Sequence, residues 1–374
     1  MVDVDAAVIG AGLAGLVCAQ RLRQSGLKVV VLEKSRGLGG RLATRRLSQT
    51  WADHGVRCLK EQGDLTQHLI QVLEQQQILH RWTETVYELQ SGQFTPSPRS
   101  YPRYASASGI TAIAKFLGQG LEIWRGQRVQ EIIPQTDRTW AFVLEPQEVE
   151  PAPPLRAKAL IVAIPAPQAS LLLHPLTKQG LPADIWAALQ SVQFDPCITA
   201  IATYGNQAAN SGALLGQAFT FPDSLDLSWV GVENSKQPGH QSDRQLVVVY
   251  QSVASFAQTH LDAVDLQPAG RYLIHSAAQS LGAWLNSPEQ LQVHRWRYAF
   301  ARLSCSNRYL FTDLPLPLLC SGDWCGGSTI EAALQSGLAS ALQLEAYWQK
   351  APATETQIPA QFQSMIQQIP LKAS

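Results

Sequence analysis

The sequence has no excess of charge of either sign. Lys plus Arg and Asp plus Glu number 29 each among 374 residues, for a net charge of zero. That removes the electrostatic case for nucleic acid or an anionic membrane surface as partner. No run of ~18 or more apolar residues suggests a membrane span. No basic segment followed by an apolar stretch stands at the start, so no signal peptide is expected, and the reading is a cytoplasmic protein. The six cysteines, Cys18, Cys58, Cys197, Cys305, Cys320 and Cys325, are scattered without paired spacings, which makes free thiols the expectation. Cys320 and Cys325 lie five apart without a second pair or clustered histidines, so no metal site is expected. No internal repeat is visible. Hydrophobic residues make up 45% and charged residues 16%, and the length allows two domains around a large core.

What is present is concentrated between Val4 and Arg46. Val4 to Ile9 is a short apolar run that reads as a buried strand. Gly10, Gly12 and Gly15 follow in GxGxxG spacing, Leu13 to Gln24 has a helix-period apolar face, Gly26 ends it, and Lys28 to Leu32 reads as a second buried strand closed by Glu33. Each position has a physical task. Gly10 permits the turn out of the strand, Gly12 lets a pyrophosphate approach the backbone, and Gly15 lets helix and strand pack closely. The helix start at Leu13 and Ala14 offers unpaired N–H groups and a positive dipole end to an anion. Glu33, 18 residues beyond Gly15, stands where a carboxylate accepts from a ribose hydroxyl, with Lys34 beside it.

After Glu33 come five residues and then Gly39, Gly40 and Arg41. Two adjacent glycines suit a loop that folds back over the same pyrophosphate, and Arg41 can bring a charge-assisted contact to phosphate. ExxxxxGGR after GxGxxG resembles the amine-oxidase-like flavoprotein superfamily, which includes monoamine oxidases, protoporphyrinogen oxidases, carotenoid desaturases and renalases. The resemblance implies non-covalent FAD, since no cysteine has the sequence context of a flavin attachment site. It also implies that the segment from Asp53 to Arg57 lines the active site, that the main chain at Val129 meets the adenine, and that the GDWCGG stretch with the following helix is the C-terminal FAD motif. In that motif Gly322 and Asp323 would meet the ribityl or pyrophosphate part, and the helix start at Ile330 would face the flavin ring.

His54 and Arg57 are candidates for orienting a substrate, with a solvent-facing loop as the other reading. Trp296, Arg297 and Tyr298 form a dense polar and aromatic cluster that suits the wall of a substrate pocket, or ordinary strand packing. A second GxGxxG is absent, so a reductant would reach the flavin through an open cavity. No residue is nominated as a nucleophile, because hydride transfer to flavin is the cofactor's own chemistry.

The expected fold is α/β: a Rossmann-like FAD-binding domain from residues 1–60, 105–175 and 291–350, and a discontinuous α+β substrate domain from 61–104 and 176–290. Recurrent apolar strands at Cys197–Tyr204, Ala213–Phe219, Leu227–Val232 and Leu246–Val253 suggest that the substrate domain is built on an antiparallel sheet. Residues 351–374 read as a Pro/Gln/Thr-rich tail, either a short docking helix or a disordered end.

The compact length, the WRYA stretch at 296–299 and GDWxxG…IEAAxxSG are most similar to renalase-like flavoproteins. That resemblance implies oxidation of misreduced NAD(P)H isomers by an FAD-dependent oxidase, with oxygen as acceptor and hydrogen peroxide as product. The chain departs from it at Gly55-Val56-Arg57-Cys58, where renalases have Gly-Ala-Gln and an aromatic. An amine oxidase, a desaturase-type dehydrogenase and a flavin-binding redox sensor or docking protein are the alternatives.

Overall fold

The computed structural model describes residues 2–48, 50–98, 101–146, 152–205, 217–237, 245–352 and 357–370. Strand β1 (Val2–Ile9) runs parallel to β2 (Val29–Glu33) on one side and to the strand Leu155–Val162 on the other. Apolar side chains on both faces make these strands near-continuous Val/Ile/Leu/Ala runs, as expected for a parallel sheet covered on both sides. Glu122–Arg125 extends the sheet beyond β2. The strand 155–162 is forked: Ala157 pairs antiparallel with Trp140, whereas Leu160 to Val162 pair parallel with Leu318 to Cys320. That fork carries the C-terminal Gly-rich loop back to the mouth of the β1 turn.

Helix α1 (Leu13–Gln24) has the bounds read from its periodicity. It is buried along most of its length because it is sandwiched between this sheet and the helix Ile330–Gln349. A Cβ at Gly337 would lie 2.3 Å from the Ala14 carbonyl oxygen, so the two helices meet backbone to backbone. Arg21 clasps Glu345 through two bonds of 2.9 and 2.8 Å at the far end of the crossing.

Helix α2 (Asp64–Gln75) buries Leu65, Leu69, Val72 and Leu73 in the same layer. No side chain of its own N-cap satisfies its first N–H groups; Glu331 does, accepting from Leu65 N at 3.2 Å and Thr66 N at 2.8 Å. A remote carboxylate thus balances the α2 dipole. This packing moves α2 from the expected substrate domain to the dinucleotide domain. The chain end resolves in favour of a docking helix: Ile358–Gln367 sinks Phe362, Met365 and Ile366 into that core.

The second sheet has seven strands in the order 290–303, 193–204, 246–252, 227–232, 218–220, 87–90 and 93–96, antiparallel except where 218–220 meets 87–90. The strand expected at Ala213–Phe219 is described only as Ala218–Thr220, its earlier residues lying outside the described ones. Helix Gln267–Leu281 covers one face. The strand Gln290–Leu303 pairs with 193–204 along its length, from Thr203↔Gln290 to Gln193↔Leu303. Residues 291–303 therefore belong to this sheet and not to the dinucleotide domain, where they had been expected. Among the described residues no helix is long and apolar enough to cross a membrane.

Candidate functional site

The first turn fixes one wall of a cavity of about 1100 Å³ lying between the two sheets. Gly10 has φ +105°, and a Cβ there would stand 2.5 Å from the Ala163 carbonyl oxygen. A Cβ on Gly15 would lie 2.0 Å from the Gly10 oxygen, so Gly15 is needed for packing and not for contact with a ligand. Gly12 differs: a Cβ there would meet no protein atom within 4 Å, because it would project into the cavity. This is space a ligand can use, and it fits a pyrophosphate beside the α1 N-terminus.

Glu33 is buried with both carboxylate oxygens engaged, Oε2 by Ala11 N and Oε1 by Ser35 N, each at 2.8 Å. It stabilises the turn and the exit of β2 while lining the cavity with Lys34. Gly39 forms a parallel bridge with Gly12, and Gly39 N donates to Ala11 O at 2.9 Å. The Gly39-Gly40 loop therefore does fold back over the first glycine loop, using φ of +107° and +57°.

Arg41 leaves that loop toward Asp323. Its two terminal nitrogens reach the two carboxylate oxygens, at 2.7 and 2.5 Å, and one also donates to Ala299 O at 3.0 Å. The structure gives Arg41 a carboxylate where the sequence suggested a phosphate, so Arg41 joins the N-terminal loop to the C-terminal one. Gly322, Asp323 and Ile330 all border the cavity. Thr329 caps the helix 330–349, its hydroxyl accepting from Ala332 N at 3.1 Å. The helix start borders the cavity, while Glu331 in its first turn is directed to the α2 N-terminus.

Opposite lies an imidazole and indole wall. Residues 44–46 and 51–53 form a hairpin, and the chain beyond it returns along the Arg41 loop, with His54 N bonded to Ala43 O at 3.0 Å and Val56 N to Arg41 O at 2.9 Å. The His54 ring lies 4.9 Å from His294 and 5.4 Å from Trp296, and Trp296 Nε1 donates to His54 O at 2.8 Å. His54 Nδ1 is buried without a hydrogen-bond partner among the described residues. A buried polar atom without a partner calls for an explanation, and in a residue that borders a cavity a bound group is one that fits. Burial, then His294 and Arg45, push the His54 imidazole down to about 3; burial and Arg45 also lower His294. Both rings are thus held neutral.

The sign of the linkage follows. A histidine whose folded pKa lies below its unfolded value disfavours the fold only when protonated, so its stability contribution is present above about pH 6.5. It is lost as pH falls toward about 3. His54→Phe is expected to retain more of its neutral-pH stability at pH 5 than the parent, read as the change in Tm between pH 7 and 5. An equal change in both proteins would remove this account.

Period-two alternation divides the expected 296–298 cluster. Trp296 and Tyr298 share a face with His294, which was not nominated although the same alternation marks it. The Arg297 guanidinium is turned to Asp262 at 2.9 Å, and Arg295 donates to Ala263 O at 2.6 Å. Tyr298 packs edge-on against Phe194 at 5.7 Å. Arg57 is not in the cavity wall. It is half-buried over the Trp229 ring at 4.7 Å and bonds Gln251 and Ser228, because Gly55 and Val56 turn the chain beneath the second sheet. Arg57 is therefore withdrawn as a substrate contact.

Asp53 likewise stands behind the wall. It is 1% exposed and accepts from Thr44 Oγ1 at 2.7 Å and Ile110 N at 2.8 Å. Lys236 Nζ sits 3.3 Å from Asp53 and 2.8 Å from Glu233, and Asp53 N donates to Glu233 at 2.8 Å. Neither Lys236 nor Glu233 was legible, since both come from a short 3₁₀ turn distant in sequence. Val129 opens the strand 129–134 and is not in the cavity wall, although Gln127 N bonds Glu33 O at 2.9 Å nearby.

Residues 84–344 match the family of flavin containing amine oxidoreductases, and residues 8–75 match the NAD(P)-binding Rossmann-like domain. A pseudooxynicotine dehydrogenase from Pseudomonas sp. is 54% identical over 46 residues, which is 12% of this chain and only 9% of that protein. Among solved structures, a double mutant of putrescine oxidase is 14% identical with a TM-score of 0.69, over 92% of this chain and 99% of the other. Cyclohexylamine oxidase from Brevibacterium oxydans is 11% identical with a TM-score of 0.69, over 93% of this chain and 100% of the other. At these identities the likeness to solved structures is one of fold.

Proposed function

The chain belongs to the flavin-containing amine oxidoreductases, and from that premise we propose that it is an FAD-dependent oxidase for an anionic dihydronicotinamide donor of the misreduced NAD(P)H type. In this reading Gly10, Gly12, Leu13, Ala14, Glu33, Lys34, Gly39 and Gly40 cradle the dinucleotide part, and Gly322, Asp323 and Ile330 face the ring end. The chemistry that bound flavin supplies is acceptance of a hydride from the donor and return of the electron pair to oxygen as hydrogen peroxide. The residues of the chain bind, orient and desolvate. His54 and Trp296 hold the donor against the ring site, and His54 Nδ1 meets a carboxamide oxygen as a hydrogen-bond donor.

The observation that carries this reading is the charge of the cavity. Its lining includes the cations Lys34, Arg45 and Arg46 in addition to Arg41, which is paired with Asp323, while the guanidinium groups of the lining residues Arg295 and Arg297 turn away to Ala263 and Asp262. Glu33 is occupied by backbone N–H groups and Asp323 by Arg41. The diphosphate of FAD consumes part of the positive charge, and the remainder suits a second phosphate-bearing molecule and repels a protonated amine. An amine oxidase is the second reading. It is favoured by the neutral aromatic wall of His54, His294 and Trp296, since such faces attract cations.

Anaerobic mixing of the purified holoprotein with normal NADH and NADPH, their misreduced isomers, and primary and secondary amines separates the two. The isomers are expected to bleach the visible flavin band at least ~100-fold faster than the amines, a transition-state difference of about 2.7 kcal/mol. Fast bleaching by amines would move the assignment to amine oxidation. A purified protein that retains no flavin would remove both readings.

A further inference from the structure

Away from the cavity wall, but inside its C-terminal loop, two thiols face each other. Cys305 and Cys325 are partners in an isolated parallel β-bridge, with Cys305 N donating to Trp324 O at 3.0 Å and Gly326 N to Cys305 O at 2.9 Å. Parallel bridge partners sit about 4.8 Å apart and point their side chains to the same side. That separation is inside the roughly 4.4–6.8 Å Cα window of a disulfide. Cys325 Sγ lies 3.9 Å from Cys320 O and Cys305 Sγ 3.4 Å from Asn307 O, and burial, then the neighbouring Cys305, push the Cys325 thiol up, keeping it protonated. Cys305 is 8% exposed and Cys325 1%, with the exposed residues Ser306 and Asn307 above Cys305. Both thiols are buried, Cys305 the less completely of the two.

We propose that Cys305 and Cys325 form a peroxide-reactive dithiol, with Cys305 as the attacking sulfur and Cys325 as the resolving one. The Cys305 thiolate attacks one oxygen of hydrogen peroxide; the O–O bond breaks, water leaves, and Cys305 becomes a sulfenic acid. The Cys325 sulfur then attacks the Cys305 sulfur, the S–O bond breaks, and a second water leaves with the Cys325 proton. Two thiols and one peroxide become one disulfide and two waters, the two electrons passing from sulfur to peroxide. Three local features favour this order. The neighbouring Cys325 thiol, with backbone groups at Asn307 and Gly326, brings the Cys305 thiol down to about 7, so part of it is thiolate at neutral pH. Cys305 is the thiol an oxidant reaches first, and the backbone bridge holds Cys325 ready to close the bond. The same loop carries Asp323, so the oxidation state of this pair is felt next to the flavin pocket.

Peroxide is also the product of the proposed oxidase reaction, but the dithiol chemistry does not depend on that reading, because the test adds the oxidant. The holoprotein is exposed to hydrogen peroxide without any donor, blocked with an alkylating agent, digested and mapped by mass spectrometry. The expected result is a cross-link between the peptides holding Cys305 and Cys325, reversed by dithiothreitol, with the other four cysteines alkylated as before. Cys325→Ser should abolish the cross-link and leave Cys305 trappable by a cyclic diketone probe for sulfenic acid. Cys305→Ser should leave Cys325 fully alkylatable after the same exposure, and flavin content reports whether each variant is folded. A sulfinic acid on Cys305 with an intact Cys325 thiol in the parent protein, or no reaction at either sulfur, would overturn the proposal.

Discussion

Lys236→Met is expected to cost about 3–5 kcal/mol, a fall in Tm on the order of 10 °C, although Lys236 touches neither the cavity nor any ligand. Its ammonium group is 1% exposed, with Asp53 at 3.3 Å and Glu233 at 2.8 Å, and it lies 5.3 Å from the Trp82 ring centre. Methionine matches the length of the side chain but leaves two carboxylates together without a cation. Burial already holds Glu233 up to about 7, against the pull of Lys236 and with Asp53 beside it. Without Lys236 that carboxyl should remain protonated at neutral pH. A carboxyl whose folded pKa lies above its unfolded value favours the fold more as pH falls, so the variant should regain stability between about pH 8 and 5 relative to the parent. Thermal melts across that range test this, and Lys236→Met with Glu233→Gln should recover part of the loss at pH 7.5. The consequence reaches the site because Asp53 precedes His54 and ties the 44–53 hairpin to Ile110. The double variant should therefore keep flavin better than the single one. Equal melting of parent and Lys236→Met would mean that the buried charges contribute nothing net.

How far the sequence could be read depended on how local each interaction is. The bounds of α1 and the roles of Gly10 and Gly15 follow from a single βαβ unit, where strand, turn and helix constrain one another over some thirty residues. The Gly39-Gly40 loop was legible for the same reason, since its partner is the Gly12 turn in the same unit. The ion pair of Arg41 was not legible, because its partner, Asp323, is 282 residues away and no local pattern announces it. Arg57 is directed elsewhere: the segment borders the cavity at His54 and Val56 and has turned under the second sheet at Arg57, three residues after His54. His294 could have been found, because alternation along a strand puts it with Trp296 and Tyr298, while Arg297 falls on the opposite side. The strand 290–303 pairs in the second sheet along its length while Ala301 also packs into the core under the first, so no single edge near 291 is marked in the sequence.

Two glycines of the first turn should fail in different ways, and the difference separates the architecture of the cradle from its contact with FAD. Gly15→Ala would place a methyl 2.0 Å from the Gly10 oxygen and 3.1 Å from Ala163 Cβ. Gly10 cannot withdraw, since its N–H is bonded to Leu32 O at 2.8 Å and its φ is +105°. The helix would have to retreat, and α1 is itself pinned at Ala14, where Gly337 of the C-terminal helix makes backbone contact. A cost of about 3 kcal/mol or more is expected, read as a lower Tm of the apoprotein together with loss of flavin. Gly12→Ala should leave the fold alone. Its φ of −76° suits any residue, and the new methyl meets no protein atom within 4 Å. The methyl would instead stand in the space proposed for the pyrophosphate. The apoprotein should melt within about 1 °C of the parent, because a substitution that disturbs no protein contact is nearly neutral. FAD affinity should fall on the order of 100-fold, about 2.7 kcal/mol. If Gly12→Ala bound FAD as the parent does, the pyrophosphate would not cross the turn at Gly12. If its apoprotein melted as low as Gly15→Ala, the open space there would be part of the packing and not of the site.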